Sequence, residues 1–461
     1  MQNEKKIPSW FIYFFGSFGG ILFGYDIGVM TGALPFLKID WASAMSNATL
    51  VGWVTSGVTF GAIFGGALAG QLADRLGRRR MILYSAIIFC VFSLLSGVAP
   101  TNGVMYLIII RCFLGLAVGA ASALVPPYMA ELAPARLRGR MNGLNQTMIV
   151  SGMLISYIMD YVFKGLPTAW GWRIMLAFAA VPAIILFFGV LKLPESPRYL
   201  VNHGLNDDAR RVLSYVRDND NEIDSELNDI KKTAAAENNA AEAQKSVSYA
   251  SLFTGKYRYL VIAGVGVAAF QQFQGANAIF YYIPLIVESA LKINASDALI
   301  WSVLQGVILV VGALLYMIIA EKFKRRSLIM TGGSIMAISF LIPAIVNKVT
   351  GTEHPMLLLV FLCIYVFFYA FTWAPLTWVI VGEIFPLAVR GKAAGLASSF
   401  NWIGSFVVGL LFPIMTAALP QEAVFAIFGI ICIFGVIFVK TRVPETKGIS
   451  LEEIEAQNIK E

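Results

Sequence analysis

The 461-residue chain is short of charge. Asp, Glu, Lys and Arg make up 14% of it against 58% hydrophobic residues, and its mean hydropathy is +0.72. A soluble domain carries nearer a quarter charged residues, so a water-soluble body is excluded. Histidine is almost missing: His203 and His354 are the two, both in loop-like stretches, so no histidine relay can run through the apolar spans. The four cysteines, Cys90, Cys112, Cys363 and Cys432, stand in apolar runs without C-x-x-C spacing and read as small core residues. There is no metal-ligand cluster, no nucleotide-binding Gly-rich loop leading into Lys-Ser/Thr, and no Ser/His/Asp constellation, so neither metal nor cofactor nor enzyme is expected. The net charge of +7 comes without a basic patch interleaved with stacking aromatics, so nucleic acid is not an expected partner. The amino terminus leads directly into a full-length apolar run, and no cleaved signal peptide is expected.

What the chain does have is apolar runs of about twenty residues, long enough to cross roughly 30 Å of hydrocarbon as helices. Twelve are expected, near 10–36, 50–72, 81–99, 104–127, 141–163, 172–193, 258–289, 298–320, 328–347, 356–382, 391–415 and 422–440. The bias of Lys and Arg sets their orientation. One side collects Arg75, Arg78, Arg79 and Arg80; Arg136, Arg138 and Arg140; Lys322, Lys324, Arg325 and Arg326; and Arg390, Lys392, Lys440 and Arg442. The other has only scattered Lys38, Lys164, Arg173, Lys292 and Lys348. Both termini and the one long polar stretch are therefore expected in the cytoplasm of a multi-pass plasma-membrane protein.

The loops repeat. Glu131-Leu-Ala-Pro-Ala-Arg-Leu-Arg138-Gly139 matches Glu383-Ile-Phe-Pro-Leu-Ala-Val-Arg390-Gly391, and Asp74-Arg-Leu-Gly-Arg78-Arg79 is echoed by Glu321-Lys-Phe-Lys-Arg325-Arg326. Each pair follows the corresponding span of its half. This predicts an all-α membrane protein of twelve transmembrane helices in two pseudo-symmetric six-helix bundles, residues 1–193 and 258–446. A helical cytoplasmic linker, 194–257, joins them, and a short tail, 447–461, follows. In the linker, Asn206 to Val216 reads as a short amphipathic helix and Asn221 to Ala243 as an acidic, Ala-rich one. A solvated tether and a brace across the bundle mouths are both open readings of it.

The most polar stretch inside a span is Gln271 to Tyr282, QQFQGANAIFYY. Polar side chains at membrane depth are costly unless they face a partner or water, so they mark a functional site. At about 100° per residue Gln271, Gln274, Asn277 and Tyr281 share an arc roughly 120° wide, with Gln272 further round. Amides and phenols offer many donors and acceptors and no charge, which suits a neutral polyhydroxylated ligand. Gly275 gives the backbone room to bend, as in the broken helices of transporter midplanes. Elsewhere Gln146 is a lone amide in the fifth span. Trp378 follows Pro375 in the tenth, and Ser398, Asn401, Trp402 and Ser405 share a face of the eleventh.

Taken in order, Gly24-Tyr25-Asp26-Ile27-Gly28, Asp74-Arg-Leu-Gly77-Arg78-Arg79, Arg111-x3-Gly115-x3-Gly119 and Pro127-Tyr128-x2-Glu131-x2-Pro134-x3-Arg138-Gly139 resemble the sugar porter family of the major facilitator superfamily. So do Pro194-Glu195-Ser196-Pro197-Arg198, Gln271-Gln272-x4-Asn277-x3-Tyr281-Tyr282 and Pro444-Glu445-Thr446-Lys447-Gly448. The resemblance implies sugar contacts at Gln146, Gln271, Gln272, Asn277, Tyr281, Trp378, Asn401 and Trp402. It implies a monosaccharide as substrate, the bilayer as surroundings and a monomer as the working unit. Two departures stand out: Lys324 replaces the glycine of the first-half loop, and Trp373 to Trp378 is poorer in Gly and Pro than the family's tenth span often is.

Asp26 falls mid-span, where an aspartate costs ~2.5–3.5 kcal/mol on insertion scales, and Arg111 is the intramembrane cation available to it. Asp160 and Glu288 fall near the external ends of their spans and read as interfacial. Family members with a carboxylate at the Asp26 position are usually proton symporters, so the resemblance implies protons as the coupled ion. A proton-independent facilitator and a non-transporting sugar sensor on the same fold are the alternatives. Xylose and glucose lead among the pentoses and hexoses. Asp74, Arg78, Glu131, Arg138, Glu383 and Arg390 are expected to form a cytoplasmic gate. Its cross pairs, Glu131–Arg390 and Arg138–Glu383, can close only when the two halves meet on that side.

Overall fold

The computed structural model describes residues 7–134, 138–217, 219–245, 249–254, 257–319, 322–386 and 389–448, and all regular structure among them is helical. The first span is α1 (Ser9–Ser17) and α2 (Gly19–Asp40), followed by the short α3 (Ala42–Met45). Asn47 then caps α4 (Ala48–Leu76), its Oδ1 accepting from the Thr49 N–H at 2.9 Å. Spans α5 (Arg78–Gly97), α6 (Val104–Leu132) and α7 (Arg138–Phe163) follow, and α8 (Thr168–Phe178) with α9 (Ala180–Leu191) makes the sixth. The linker holds α10 (Pro197–Asn202), α11 (Asn206–Val216), α12 (Asp220–Lys245) and α13 (Tyr249–Thr254). The second bundle comprises α14 (Arg258–Phe273), α15 (Ala276–Leu291), α16 (Ala295–Ile319), α17 (Arg325–Thr350) and α18 (Pro355–Phe368). It continues with a π-turn (Tyr369–Trp373), α19 (Ala374–Ile384), α20 (Arg390–Ala418) and α21 (Gln421–Arg442).

Eleven helical runs among the described residues are long and apolar enough to cross a membrane. The remaining expected span is broken. Gln274 and Gly275 separate α14 from α15, and Gly275 takes a left-handed φ of +92°, which a side chain would resist. This corrects the continuous arc expected of Gln271, Gln274, Asn277 and Tyr281. Gln274 turns away into the second bundle beside Gly435, and Gln272 joins the face instead. The π-turn has a sequence cause: Pro375 has no N–H to donate one turn back and its ring crowds that carbonyl, so the preceding turn widens.

Small residues decide the packing within the first bundle. Gly57, Gly61 and Gly65 of α4 meet Gly115 and Gly119 of α6 so closely that at Gly61, Gly65, Gly115 and Gly119 a Cβ would collide with backbone of the facing helix. Gly24, Gly28 and Gly32 of α2 seat α7 in the same way, against Ile149, Ser156 and Asp160. Across the bundles α2 meets α15, α7 meets α16, and α4 meets α20. The α4–α20 seam runs from Gly52 beside Leu410, through Trp53 tilted against Phe406 (5.1 Å), to Gly66 beside Trp402. Beyond it, towards the basic loops, Gly70, Gly391 and Gly395 look onto open space. That seam is shut at the loop-poor end and parts at the basic end.

The linker is not a free tether over its described part. The Arg217 side chain is 1% exposed, pairs with Glu226 at 2.6 Å and donates to the Leu132 carbonyl at the end of α6 (3.0 Å). The Asn206–Val216 helix has the bounds its amphipathic pattern predicts.

Candidate functional site

The break at Gly275 brings the end of α14 and the start of α15 against α20 and the π-turn. Gln271 donates from Nε2 to the carbonyls of Ala374 (2.9 Å) and Trp373 (3.3 Å). Asn401 donates from Nδ2 to Gln271 Oε1 (2.5 Å) and to the Ala268 carbonyl (2.9 Å). Gln272 Nε2 lies 3.4 Å from both Gln271 Oε1 and Asn401 Oδ1. Asn277 donates to Gln272 Oε1 (3.2 Å) and to the Ser405 hydroxyl. Four amides and a hydroxyl thus form one network, their mutual bonds filling places a ligand's hydroxyls can take. Of the residues named from sequence, Gln271, Gln272, Asn277 and Asn401 are brought together here.

Tyr281 is fully buried, lies near Asp26 and Arg111, and its hydroxyl has no hydrogen-bond partner among the described residues. Its neighbour Tyr282 reaches the first bundle: its hydroxyl is 2.5 Å from Thr55 Oγ1 and donates to the Gly409 carbonyl at 3.0 Å. Trp402, 6% exposed, packs its ring on Phe23 of α2 at 5.2 Å and so bridges the bundles. Gln146 on α7 and Trp378 on α19 stay out of the network. Gln146 is half-buried without a side-chain hydrogen bond among the described residues, and Trp378 is 41% exposed.

Asp26 and Arg111 face each other from α2 and α6 with Oδ2 and Nη2 3.6 Å apart and side chains 3% and 1% exposed. The distance is that of an ion pair without a hydrogen bond, and Asp26 Oδ2, Arg111 Nε and Arg111 Nη2 all lack hydrogen-bond partners among the described residues. A buried pair with unused hydrogen-bonding capacity is chemically able to accept a proton at the carboxylate. Asp160 departs from expectation. It is 1% exposed, buried between α7 and α2 rather than interfacial, because Gly32 leaves a hollow for its carboxyl group. Glu288 is half-buried beside Lys38.

At the basic end each glutamate is engaged within its own bundle. Glu131 accepts from Ser196 Oγ and lies 3.5 Å from Arg78, which also pairs with Asp74 at 2.8 Å. Glu383 accepts from Thr446 Oγ1 (2.6 Å) and lies 3.9 Å from Arg325. Arg390 donates to the Phe385 carbonyl at 3.1 Å. The cross pair Glu131–Arg390 is not made in this conformation, and the Arg138 side chain lies outside the described residues. Sequence reasoning missed Thr31, Thr55, Tyr157 and Gln305, which join the bundles at the loop-poor end. Lone hydroxyls and amides in apolar spans are the available signal, and only the three-dimensional pairing separates them from helix glue.

The family model described as sugar (and other) transporter matches residues 12–457. The chain is 40% identical over 455 residues to a D-xylose transporter of Levilactobacillus brevis, covering 98% of this chain and 96% of that one. It is 38% identical to a glucose transporter of Staphylococcus epidermidis (98% and 97% covered) and 33% identical to a galactose-proton symporter of Escherichia coli (99% and 96%). Among solved structures it is similar to the Escherichia coli xylose transporter XylE in a partially occluded inward-open conformation. There the TM-score is 0.83 and the identity 27%, over 96% of this chain and 99% of that one. Fold, length and sequence agree from end to end: the chain belongs to the sugar porter family of the major facilitator superfamily, a family of membrane transporters.

Proposed function

We propose that the chain imports a neutral monosaccharide together with a proton by alternating access, and that the amide network is its sugar site. Xylose or glucose is the leading substrate; relatives named for each cover nearly the whole chain. The observation that carries the reading is the convergence of Gln271, Gln272, Asn277, Asn401 and Ser405 at the broken seventh span, with only neutral donors and acceptors. Tyr281, Trp402, Gln146 and Trp378 line the approach. Asp26, paired with Arg111, carries the proton, and Tyr281 stands between that pair and the amides. One proton crossing ~100 mV releases ~2.3 kcal/mol, which at ~1.4 kcal/mol per tenfold supports roughly 50-fold accumulation of a neutral sugar. The basic end, with both termini and the linker, faces the cytoplasm of the plasma membrane by the excess of Lys and Arg there, and the protein works as a monomer. With the basic end open, Glu131 and Glu383 bind within their own bundles. They exchange to Arg390 and Arg138 when that end shuts.

Counterflow in proteoliposomes against a panel of unlabelled sugars identifies the substrate. In the same assay Gln271→Ala or Asn277→Ala weakens apparent affinity by about 1–3 kcal/mol, because ligand hydroxyls lose partners in a desolvated site. Asp26→Asn abolishes uphill accumulation and sugar-driven alkalinisation while sparing sugar binding. An Asp26→Asn variant that still concentrates sugar overturns the assignment of the proton to Asp26, whereas a wild-type protein that only equilibrates sugar leaves facilitated diffusion as the mechanism.

A further inference from the structure

The first bundle buries a second carboxyl group that the coupling pair does not use. Asp160 is 1% exposed, and neither of its oxygens has a hydrogen-bond partner among the described residues; Gly32 of α2 is the backbone group against it. The surrounding basic groups are all engaged elsewhere. Arg111 faces Asp26 (3.6 Å), Arg173 binds Asp40 (3.1 Å), and Lys38 lies beside Glu288. Lys164, in the turn that follows α7, leans over the Tyr161 ring and reaches across to Asp297 of α16 at 4.0 Å. The other titratable groups near Asp160 are the phenols of Tyr25 and Tyr157. An ionised carboxylate buried without a cation costs several kcal/mol, more than the contact with the Gly32 backbone offsets, so in this conformation Asp160 holds its proton.

Its place on α7 is between two contacts that join the bundles. Three residues before it, the Tyr157 hydroxyl accepts from Gln305 of α16 at 2.9 Å; four residues after it stands Lys164. Parting of the bundles at the loop-poor end breaks both contacts, lets water reach this stretch of α7, and leaves Lys164 without Asp297. Lys164, four residues on in the turn that follows α7, is then the cation that can approach Asp160, at a helix end that favours positive charge. We propose that Asp160 is a second proton-binding site, protonated while the loop-poor end is shut and ionised, paired with Lys164, when that end opens. On opening, the O–H bond of Asp160 breaks, its proton passes to bulk water and the carboxylate takes Lys164 as counter-ion; closing reverses each step. Protonation therefore favours the shut end and rising pH the open one. This rests on alternating access but not on coupling through Asp26.

The test is the separation of the bundles at the loop-poor end as a function of pH, by pulsed EPR on the full chain in nanodiscs. Spin labels replace Trp170 of α8 and Val349 of α17, both exposed, in a background with the native cysteines changed to Ala. The long-distance population is expected to rise with pH, by at most about tenfold per unit for one proton. Asp160→Asn flattens the profile and holds the short distance, whereas Asp26→Asn keeps the slope even where it abolishes accumulation. A wild-type profile without slope, or the wild-type slope retained in Asp160→Asn, overturns the proposal. Should Asp160→Asn not fold, two positions that are not buried decide, the half-buried Lys164 and the exposed Asp297. Lys164→Gln makes the profile shallower, and Asp297→Asn raises the long-distance population at every pH with the slope kept; an unchanged slope in Lys164→Gln overturns it.

Discussion

The two bundles solve the same problem at their basic ends with different firmness. In the first, Glu195 Oε1 accepts from the Arg79 N–H (3.1 Å) at the start of α5; in the second, Glu445 accepts from the Arg325 and Arg326 N–H groups (2.8 and 3.1 Å) at the start of α17. Both glutamates follow a proline, and the hydroxyl residue after each, Ser196 or Thr446, holds the glutamate at the end of the fourth or tenth span. The two Pro-Glu-Ser/Thr motifs are therefore one device used twice, with a carboxylate satisfying orphan amides at a helix start. The differences lie around it. Gly77 leads into α5 at φ +96°, ψ 149°, and Glu195 occupies the space of its missing Cβ, while Lys324 leads into α17 in ordinary extended backbone at φ −67°, ψ 136°. Glu131 is 10% exposed and Glu383 38%. The glycine-only backbone conformation thus occurs at Gly77 and not at Lys324, and Lys324 has no glycine's work to do.

The largest contrast is expected at those two turns. Gly77→Ala places a side chain in a backbone region nearly restricted to glycine and displaces Glu195. It is expected to cost about 2–4 kcal/mol, against less than about 0.5 for Lys324→Ala, in unfolding measurements in detergent. Equal losses from the two substitutions would contradict the comparison. Glu195→Gln and Glu445→Gln should lose about 1–2 kcal/mol each and by similar amounts, since each exchanges a charged cap for a neutral one. A cost confined to one glutamate would show that the motifs are not equivalent. Third, Glu131→Gln is expected to destabilise by about 1 kcal/mol more than Glu383→Gln, because water can less easily replace the bonds lost at the less exposed position. The smallest effect belongs to Asp74→Asn. Its carboxylate is 69% exposed, and the loss should stay within about 0.5 kcal/mol and shrink with added salt.

Most of the fold is legible in the sequence because hydrocarbon leaves few alternatives: spans show as apolar runs, and the repeated charged loops mark two halves. The candidate site is legible in part. Gln271, Gln272, Asn277 and Asn401 advertise themselves as amides at membrane depth, and they do converge. Gln274 looks equivalent on a helical wheel and is not, since a wheel assumes a continuous helix and Gly275 interrupts it. Asp160 reads as interfacial by its distance from the end of its span. Its burial depends on Gly32 lying opposite, and that is a fact about two helices that one helix's sequence does not contain.

The π-turn ahead of Pro375 can be put in terms of phase. One surplus residue amounts to about 100° of rotation about the helix axis, so it sets the bearing of everything that follows on α19. Gln271 is bonded to the carbonyls of Trp373 and Ala374, where that rotation is completed. Trp378 and Glu383 lie five residues apart further along, one 41% exposed, the other in the basic-end cluster with Thr446. Winding Tyr369–Trp373 as plain α-helix with every residue kept would swing both through that angle. The tenth span thus works like an indexed shaft, on which one extra residue aligns the end beside the amide network and the loop-facing end together.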